Sequence, residues 1–461
     1  MKIRTGVFTL TLVITLLAGC MTAPDRDGES IIGELPVRWT ADSATAAHQI
    51  AEHWVDTFQL PKLKTLVQEA LTTNHDLKAA AARVEIAQAA VRIAGAPRLP
   101  HINALTDVQR GRQGTFVVDE DRKERSLLGA LFSLSWELDI WGRIRAARDA
   151  ASFEAQAVST DLNGAALSLA ARTAQSWFAL LEAGQQEAVA RQSVSDRRML
   201  VELVRGRFTR GLAQGLDLSL ALTDLANAEA QLAETKNLVQ VTSRHLEVLL
   251  GRYPAGELSP GEPLPPLPPT LPAGVPAELL ERRPDIIAAM RRLQAQDQRL
   301  LNANLALLPN ITLTAWGGVR STSLKDVIRP EALVWNVGAG LLQPIFAGDR
   351  LEGNIARQEA AVTEALEDFH QTALEAFQEV EQSLATEERL SARERALAEA
   401  VRHAEANQRL SVYAYRHGFT TILTLLDSFR GTLEAQSAHL TVKRRLLNNR
   451  IDLHLALGGA V

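Results

Sequence analysis

The chain has 461 residues and a formal net charge of −5, so no basic field favours nucleic-acid binding. Aromatic residues make up 5% and charged residues 22%, a composition typical of long packed helices rather than of a disordered chain. The ten histidines are scattered, and no nucleophile with a base at catalytic spacing can be found. We therefore expect neither a metal site nor an enzyme.

The N-terminal residues 1–19 have the pattern of a secretory signal peptide. Two basic residues precede an apolar run over residues 7–17, which is too short to remain as a membrane-spanning helix. The string Leu17-Ala18-Gly19-Cys20 resembles a bacterial lipobox, and Cys20 is the only cysteine. Because a lone cysteine cannot form an internal disulfide, we expect it to carry a lipid at the mature N-terminus. Residues 20–61 then predict an extended tether.

The first repeat, residues 62–251, is predicted to begin with a helix and a β-hairpin. Apolar residues recur at helical spacing from Lys62 to Ala94, and prolines then end the helix. Two strands follow within 102–139. One face of the second strand is apolar (Leu128, Ala130, Phe132, Leu134, Trp136, Leu138) and the other is mostly small or polar (Gly129, Leu131, Ser133, Ser135, Glu137). This pattern predicts either a sheet covering a soluble core or one separating lipid from a water-filled lumen.

The rest of this repeat, residues 143–251, predicts a long helical hairpin. Apolar residues recur at spacings of three and four for about sixty residues without a proline. The pattern breaks near Gly206, passes Gly211 and Gly215, and then resumes. Two helices with short glycine punctuation make an antiparallel hairpin, with the glycines at its tip.

A proline-rich linker over 252–276 leads to a second repeat, 277–457, with the same order of elements. It comprises a helix (277–307), a β-hairpin (311–344) and a long helical hairpin (351–457). Matching strings include Asn74-His75-Asp76-Leu77 with Arg283-Pro284-Asp285-Ile286, and Leu99-Pro100-His101-Ile102 with Leu308-Pro309-Asn310-Ile311. Matching strings in the two repeats are about 207 to 209 residues apart, and this near-constant offset indicates a duplicated unit. Length alone suggests about three domains, but the duplication favours one elongated body.

The four strands raise a problem of closure. Each is long enough to cross a bilayer at a tilt, yet four strands leave two open edges, which a bilayer does not tolerate. Other copies of the chain must therefore close the sheet. Two copies would give eight strands with a filled interior, and three would give twelve strands with a lumen. Small inner-face residues such as Gly129, Ser133, Gly338 and Gly340 favour the open tube.

Several strings resemble the outer membrane factor family, the TolC-like and OprM-like exit ducts of tripartite efflux pumps. They are Trp136-Glu137-Leu138-Asp139-Ile140-Trp141-Gly142-Arg143, Arg283-Pro284-Asp285, Leu308-Pro309-Asn310-Ile311 and Leu423-Thr424-Leu425-Leu426-Asp427. The resemblance covers roughly residues 54–457, and the lipobox is similar to that of the NodT-type lipoprotein branch. It implies an α+β membrane protein: a homotrimer with a twelve-stranded transmembrane β-barrel, four strands per chain, continued by a long α-helical coiled-coil barrel in the periplasm.

The function that this resemblance implies is passive. The trimer would carry drugs, metal ions or other small solutes from the periplasm to the exterior. Its implied partners are outer-membrane lipid, a periplasmic adaptor protein and an inner-membrane pump of the resistance-nodulation-division type. No cofactor is implied beyond the lipid on Cys20.

The resemblance also implies site residues at the helical tips. The family's constricting leucine and aspartate match Leu423 and Asp427, which lie four residues apart and so share a helix face. Residues that could clasp neighbouring helices are Arg207, Asp217, Tyr415 and Arg416. Residues expected to contact the adaptor are Gly211, Gly215 and Gly418.

Two other functions remain open. One is a lipid-anchored periplasmic coiled-coil scaffold without a channel, which explains the helices but not the four strands. The other is the exit duct of a type I secretion system. The sequence alone does not name the cargo.

Overall fold

The computed structural model describes residues 22–26, 28–33, 36, 38–41, 54–111, 125–269 and 274–459. The predicted signal peptide (1–19), Cys20 and residues 112–124 between the first two strands lie outside these residues. The elements are α1 (Gly28–Ile32), α2 (Pro61–Thr73), α3 (His75–Gly95), β1 (His101–Gly111), β2 (Arg125–Leu138), α4 (Arg143–Phe208), α5 (Gly215–Leu249), α6 (Leu279–Arg282), α7 (Pro284–Leu305), β3 (Asn310–Ser321), β4 (Leu333–Leu342), α8 (Arg350–His417) and α9 (Ile422–Ala456).

The chain divides into two compact units. The first comprises Met1–Ile31, Arg83–Ser159 and Ala288–His370, and it contains the whole β-sheet. The second comprises Ile32–Ala82, Thr160–Ile287 and Gln371–Val461, and its described part is helical apart from turns and the linker.

The sheet of the first unit is antiparallel, with strand order β1-β2-β3-β4. Its register aligns Phe132 with Gly317 and Gly317 with Trp335, so these three residues share one face. Ser133 in the next row is aligned with Trp316 on the opposite face. The register therefore places the apolar residues predicted for β2 and β4 on the same side of the sheet. Both edge strands, β1 and β4, have one neighbour each.

The turn from β2 into α4 explains the most distinctive string of the sequence. The Asp139 carboxylate accepts hydrogen bonds from the backbone N–H groups of Ile144 and Arg145, at 2.9 and 2.7 Å. It thereby satisfies donors that the first turn of a helix leaves free. The Trp141 indole donates to the Pro309 carbonyl at 2.8 Å, which ties the turn to the start of β3.

Two helices, α4 and α8, are much longer than the others. α4 has 66 residues and α8 has 68, and each is followed by a return helix of 35 residues. A buried cluster joins α4 and α5 to the N-terminal part of the unit. Its members include Trp54, Phe58, Leu63, Trp177, Phe178, Leu181 and Leu246. Within the described residues, no helix is both long enough and apolar enough to cross a membrane.

Two helices predicted to be continuous are broken, and this prediction was wrong. The helix expected over 62–94 is interrupted at Asn74, and the one expected over 277–307 is interrupted at Arg283. Both residues have extended backbone, with ψ of 131° and 124°. Pro284 disfavours helical backbone at Arg283, while the Asn74 side chain accepts a hydrogen bond from Leu77 N–H at 3.1 Å and so begins the next helix.

The residues at the two breaks, Asn74 and Arg283, make equivalent hydrogen bonds in the two repeats. Asn74 donates from its side-chain amide to the Leu249 carbonyl at 2.9 Å, at the end of α5. Arg283 donates to the Ala456 carbonyl at 3.1 Å, at the end of α9. The last carbonyls of a helix have no partner within the helix. Each break therefore supplies a donor to the return helix of its own repeat.

Residues 20–61 were predicted to be an extended tether, but the described part includes the short helix α1 and a helical turn at Trp54–Phe58. In the first unit, Arg26 forms a two-hydrogen-bond ion pair with the buried Asp297, at 2.5 and 3.0 Å. In the second unit, the Glu381 carboxylate accepts the backbone N–H groups of Thr40 and Ala41, at 2.7 and 2.9 Å. Arg26 is thus bound to α7, and Thr40 and Ala41 are bound to α8.

The proline-rich linker is held at both ends by charged side chains. The buried Glu247 on α5 accepts hydrogen bonds from the backbone N–H groups of Gly256 and Glu257, both at 2.7 Å. At the other end, the fully buried Arg450 on α9 donates to the Pro268 carbonyl at 3.1 Å. Extended proline-rich backbone cannot satisfy its own polar groups, so these side chains fix the linker against the helices.

His454 near the end of α9 is a buried histidine in an apolar site. It is fully buried and stacks on Trp54, with ring centroids 5.7 Å apart. Neither ring nitrogen has a hydrogen-bond partner among the described residues. Burial, with a smaller contribution from the positive charge of Arg450, lowers the pKa of His454 from 6.5 to about 3. The fold therefore needs this imidazole to be neutral.

This site predicts a loss of stability in mild acid. Because the pKa of His454 is lower in the folded chain than in the unfolded chain, its neutral form stabilises the fold fully above pH 6.5. Below pH 6.5 the imidazole is protonated in the unfolded chain but not in the folded one. The free energy of unfolding therefore falls by about 1.4 kcal/mol per pH unit. His454→Phe keeps the ring stacking but removes the titrating group. The free energy of unfolding of the solubilised variant, measured by circular dichroism, should therefore differ less between pH 7.5 and pH 5 than that of the wild-type protein.

The control is His403→Phe, since the His403 side chain is 86% exposed. An equal reduction of the pH dependence in both variants would contradict this account of His454.

Candidate functional site

The two helical tips of the second unit have the same backbone design. Gly211 follows α4 with a φ of +70°, and Gly418 follows α8 with a φ of +77°. In both tips the glycine and the next residue donate to carbonyls three and five residues earlier, at 2.8 to 3.1 Å. Side chains other than glycine strain this left-handed turn. Gly215 does not have a positive φ, and a Cβ there would meet only Phe208, at 3.8 Å.

Arg207 joins the two tips within one chain. Its guanidinium donates to the carbonyls of Tyr415 and Arg416, both at 3.0 Å, and lies 5.0 Å from the centre of the Tyr415 ring. Burial raises the pKa of Tyr415, the nearby Asp217 charge raises it further and Arg207 opposes both. Two of the predicted clasp residues are therefore in direct contact.

The other two predicted clasp residues have different surroundings. Asp217 accepts a hydrogen bond from Gln214 N–H at 3.1 Å and completes a capping box at the start of α5. The side chain of Arg416 has no hydrogen-bond or ion-pair partner in the part of the chain that the structure describes. Only its backbone carbonyl takes part in the contact with Arg207.

The proposed gate residues lie on the exposed face of α9. Leu423 is 63% exposed, whereas Leu425 and Phe429 are buried in the cluster that packs α9 against its neighbours. Asp427 is also exposed, and it forms an ion pair with Arg430 one turn later. Sequence reasoning missed Arg430, although its spacing of three residues from Asp427 could have revealed the pair.

The two faces of the sheet in the first unit differ in chemistry. Large apolar side chains on the first face are exposed, with Phe132 at 66% and Trp335 at 74%. The opposite face carries Gly129 between Asp107 and Arg320 in one row of the register. A Cβ at Gly129 would overlap the Asp107 carboxylate, so the glycine makes room for charge on this face.

The described residues contain no group of three or more histidine, cysteine, aspartate or glutamate side chains that could hold a metal ion. The first unit thus has an exposed apolar sheet face and a mostly small and polar one, and the second unit has two shaped helical tips. An outer-membrane channel protein is the class that these features define.

The chain belongs to the outer membrane efflux protein family, which it matches over residues 66–252 and 275–459. It is 30% identical to the pyoverdine export outer membrane protein OpmQ of Pseudomonas putida, with 98% of this chain and 96% of OpmQ covered. It is 26% identical to the probable outer membrane lipoprotein SilC of Salmonella typhimurium, with 97% of each chain covered. The solved outer-membrane channel OprN is similar in structure, with a TM-score of 0.89, 26% identity and coverage of 96% and 99%. The predicted family and the outer-membrane location are thereby confirmed.

The sheet register leads to a test of its two faces. Phe132→Arg would place a charge on the apolar face, at a cost of about 2–4 kcal/mol if that face meets lipid at the bilayer midplane. Ser133→Arg, one residue along the same strand, would place it on the opposite face. We expect the first variant to reduce the protein recovered in the outer membrane far more than the second, as measured by quantitative immunoblotting of membrane fractions. Equal losses would show that the faces are wrongly assigned.

Proposed function

We propose that three copies of the chain form the exit duct of a tripartite efflux system in the outer membrane. The four strands of each copy cross the membrane, and β4 of one copy pairs with β1 of the next. The apolar face meets lipid, and the small, polar face lines a water-filled lumen. The helical hairpins line the periplasmic part of the duct.

One observation carries this proposal: the sheet has an exposed apolar face and two open edges. Unpaired backbone groups cannot stay in hydrocarbon, so the edges need partners of the same length and polarity. A second copy of the same chain supplies them. Twelve strands leave a lumen, whereas eight would be filled by side chains, and the glycines and serines of the polar face suit the larger ring.

The duct closes at the helical tips in this proposal. Leu423 forms an apolar ring and Asp427 an anionic ring, because the exposed face of α9 carries both. Arg430 of the same helix offsets part of the charge of Asp427. The ring is thus three aspartate–arginine pairs rather than three bare carboxylates, which reduces repulsion among the copies. Arg207 and Tyr415 keep the two tips of each copy together.

A periplasmic adaptor and an inner-membrane pump of the resistance-nodulation-division type complete the system. The adaptor contacts the tips around Gly211, Gly215 and Gly418. Support comes from apolar side chains that stay exposed there, namely Phe208, Leu212, Leu216 and Phe419. The duct is passive and wide, so drugs, metal ions or other small solutes are selected by the pump and the adaptor.

The charges of the gate lead to a pair of opposite predictions. Asp427→Ala should weaken the cation selectivity of the purified channel, and Arg430→Ala should strengthen it, because each removes one partner of the same ion pair. Adding Leu423→Ala to Asp427→Ala should raise the single-channel conductance. Recordings in planar lipid bilayers measure both quantities.

The outcomes of these recordings separate the candidate functions. If the wild-type protein conducts but none of the variants differs from it, the constriction lies elsewhere along the duct. If neither the wild-type protein nor the Leu423→Ala/Asp427→Ala double variant conducts, the lipid-anchored scaffold is the better function. Coexpression with a secretion ATPase and its substrate, rather than with an efflux pump, would test the type I secretion duct.

We further propose that Cys20 carries an N-terminal lipid. The lipobox Leu17-Ala18-Gly19-Cys20 supports this assignment, and SilC is named a probable lipoprotein. Cys20→Ser should leave an unprocessed precursor with less protein in the outer membrane, which mass spectrometry and membrane fractionation would measure. Normal processing and normal recovery of this variant would refute the assignment.

A further inference from the structure

Full charges are rare on the small and polar face of the sheet. Among the strand side chains that the structure describes there, the carboxylates and guanidinium groups are those of Asp107, Glu137 and Arg320. Glu137 accepts a hydrogen bond from Arg143 at 2.7 Å, so its charge is matched at the start of α4. Asp107 and Arg320 have no ion-pair or hydrogen-bond partner among the described residues. Two opposite charges therefore remain on this face.

The two charges face the same gap, which lies over Gly129. Asp107, Gly129 and Arg320 are aligned in one row of the register, on neighbouring strands about 4.8 Å apart. A Cβ on Gly129 would overlap Oδ1 of Asp107 and would lie 3.8 Å from Nε of Arg320. The surrounding atoms shield Oδ1 from solvent, and an oxygen in such a position normally has a hydrogen-bond donor. The gap thus has a carboxylate on one side and a guanidinium on the other, and it is open to a third group.

The duplication places a second glycine beside Asp107. Within one chain, Ser133 on β2 is aligned with Trp316 on β3. In the alignment of the two repeats, Gly338 is equivalent to Ser133 and Asp107 is equivalent to Trp316. The proposed pairing of β4 with β1 of the next copy therefore aligns Gly338 with Asp107. Glycine inside a strand often marks a place that a ligand approaches closely, and in this pairing Asp107 has one on each side.

The guanidinium of Arg320 also has open space beside it. It lines a cavity of about 440 Å³ at the end of β3, together with Asp326, Arg329 and Glu331 of the connection to β4. Asp326 and Arg329 pair with each other at 3.1 Å. Small-molecule sites have volumes of about 300–1,000 Å³, so this cavity has room for part of a solute.

We propose that Asp107 and Arg320 form a binding site for amphoteric solutes in the lumen, and this proposal rests on the proposed function. Asp107 binds a cationic group of the solute over Gly129, and Arg320 binds an anionic group. Because the two charges cancel, the site favours neither cations nor anions as a class, whereas a solute that carries both charges gains two contacts. Ion pairs at a wet surface are weak, so the solute is retained briefly and the choice of cargo stays with the pump and the adaptor.

Removing one charge at a time tests whether both face the lumen, because lumenal charges tune selectivity. The background is Leu423→Ala/Asp427→Ala, which lacks the charge of the proposed gate. In planar lipid bilayers at about 0.01 M salt, charges act over about 30 Å. There Asp107→Asn should shift the reversal potential towards anion selectivity, and Arg320→Gln should shift it towards cation selectivity. The variant with both changes should match the background, and both shifts should vanish at about 1 M salt, where the screening length is about 3 Å.

Two penicillins test the binding of an amphoteric solute. Ampicillin carries an ammonium group and a carboxylate, whereas benzylpenicillin lacks the ammonium group. Transient reductions of the current through the same channel report how long each solute stays. Asp107→Asn and Arg320→Gln should each shorten the ampicillin events about threefold, the size expected for one exposed ion pair. Asp107→Asn should not shorten the benzylpenicillin events, because that solute has no cationic group for Asp107.

A matched pair of glycine variants separates the site from its net charge. Gly129→Ala keeps every charge but displaces the Asp107 carboxylate from the gap. Gly340→Ala, on the same face, would meet no atom within 4 Å. The first variant should shorten the ampicillin events without a shift in reversal potential, and the second should change neither. Equal effects of the two variants would overturn the proposal.

The outcomes distinguish this proposal from the proposed function. A channel that conducts but keeps its reversal potential in Asp107→Asn and Arg320→Gln leaves the duct intact and refutes the site. So does a channel in which ampicillin and benzylpenicillin respond alike to Asp107→Asn. If Asp107→Asn does not assemble, Arg320→Gln and Gly129→Ala decide in its place. Failure of the background channel to conduct refutes the duct, and this site with it.

Discussion

The need to satisfy the open edges of a four-stranded sheet governs the rest of this structure. Each chain contributes β1 to β4, and the outer two strands have one neighbour each. In water such edges bind solvent, but in lipid their backbone groups have no partner. The exposed apolar face, with Phe132 and Trp335, is stable only against lipid or another apolar surface. The proposed ring of copies in the outer membrane pairs the edges and covers the apolar face at the same time.

The two repeats contribute equally to the sheet, because each supplies one β-hairpin and one long helical hairpin. Equivalent hydrogen bonds and turns occur at matching positions of the two repeats. Asn74 and Arg283 interrupt a helix and supply a donor to the end of a return helix. Gly211 and Gly418 make the same left-handed turn at the tips. The repeats differ just after the tips, since Asp217 caps the start of α5 whereas α9 carries the exposed Leu423 and Asp427.

The sequence predicted most of the regular structure because regular structure is periodic. The alternation in β2 and β4 identified the two faces, and the register confirms that Phe132 and Trp335 share one of them. The breaks at Asn74 and Arg283 were missed because the apolar period continues through both. Pro284 is a local signal for the break at Arg283, whereas the distant carbonyls of α5 and α9 that accept hydrogen bonds at the two breaks leave no local signal.

The sequence predicted the surroundings of some site residues but not of others. Leu423 and Asp427 could be placed on one helix face by their spacing, and the structure leaves both exposed. The contact of Arg207 with Tyr415 joins residues about two hundred positions apart and depends on how α4 packs on α8. Likewise, no local pattern shows that Glu247 and Arg450 hold the proline-rich linker. Those interactions come from tertiary packing alone.

The central claim is that three copies close the sheet, and the mass of the assembled protein tests it most directly. Native mass spectrometry of the protein extracted from the outer membrane, with the detergent removed in the gas phase, reports the number of chains per particle. The account predicts a particle of three chains, each with the 50.2 kDa mass of the full sequence less the signal peptide and plus the lipid. A particle of one or two chains would contradict it, because neither could close a lumen from four strands per copy.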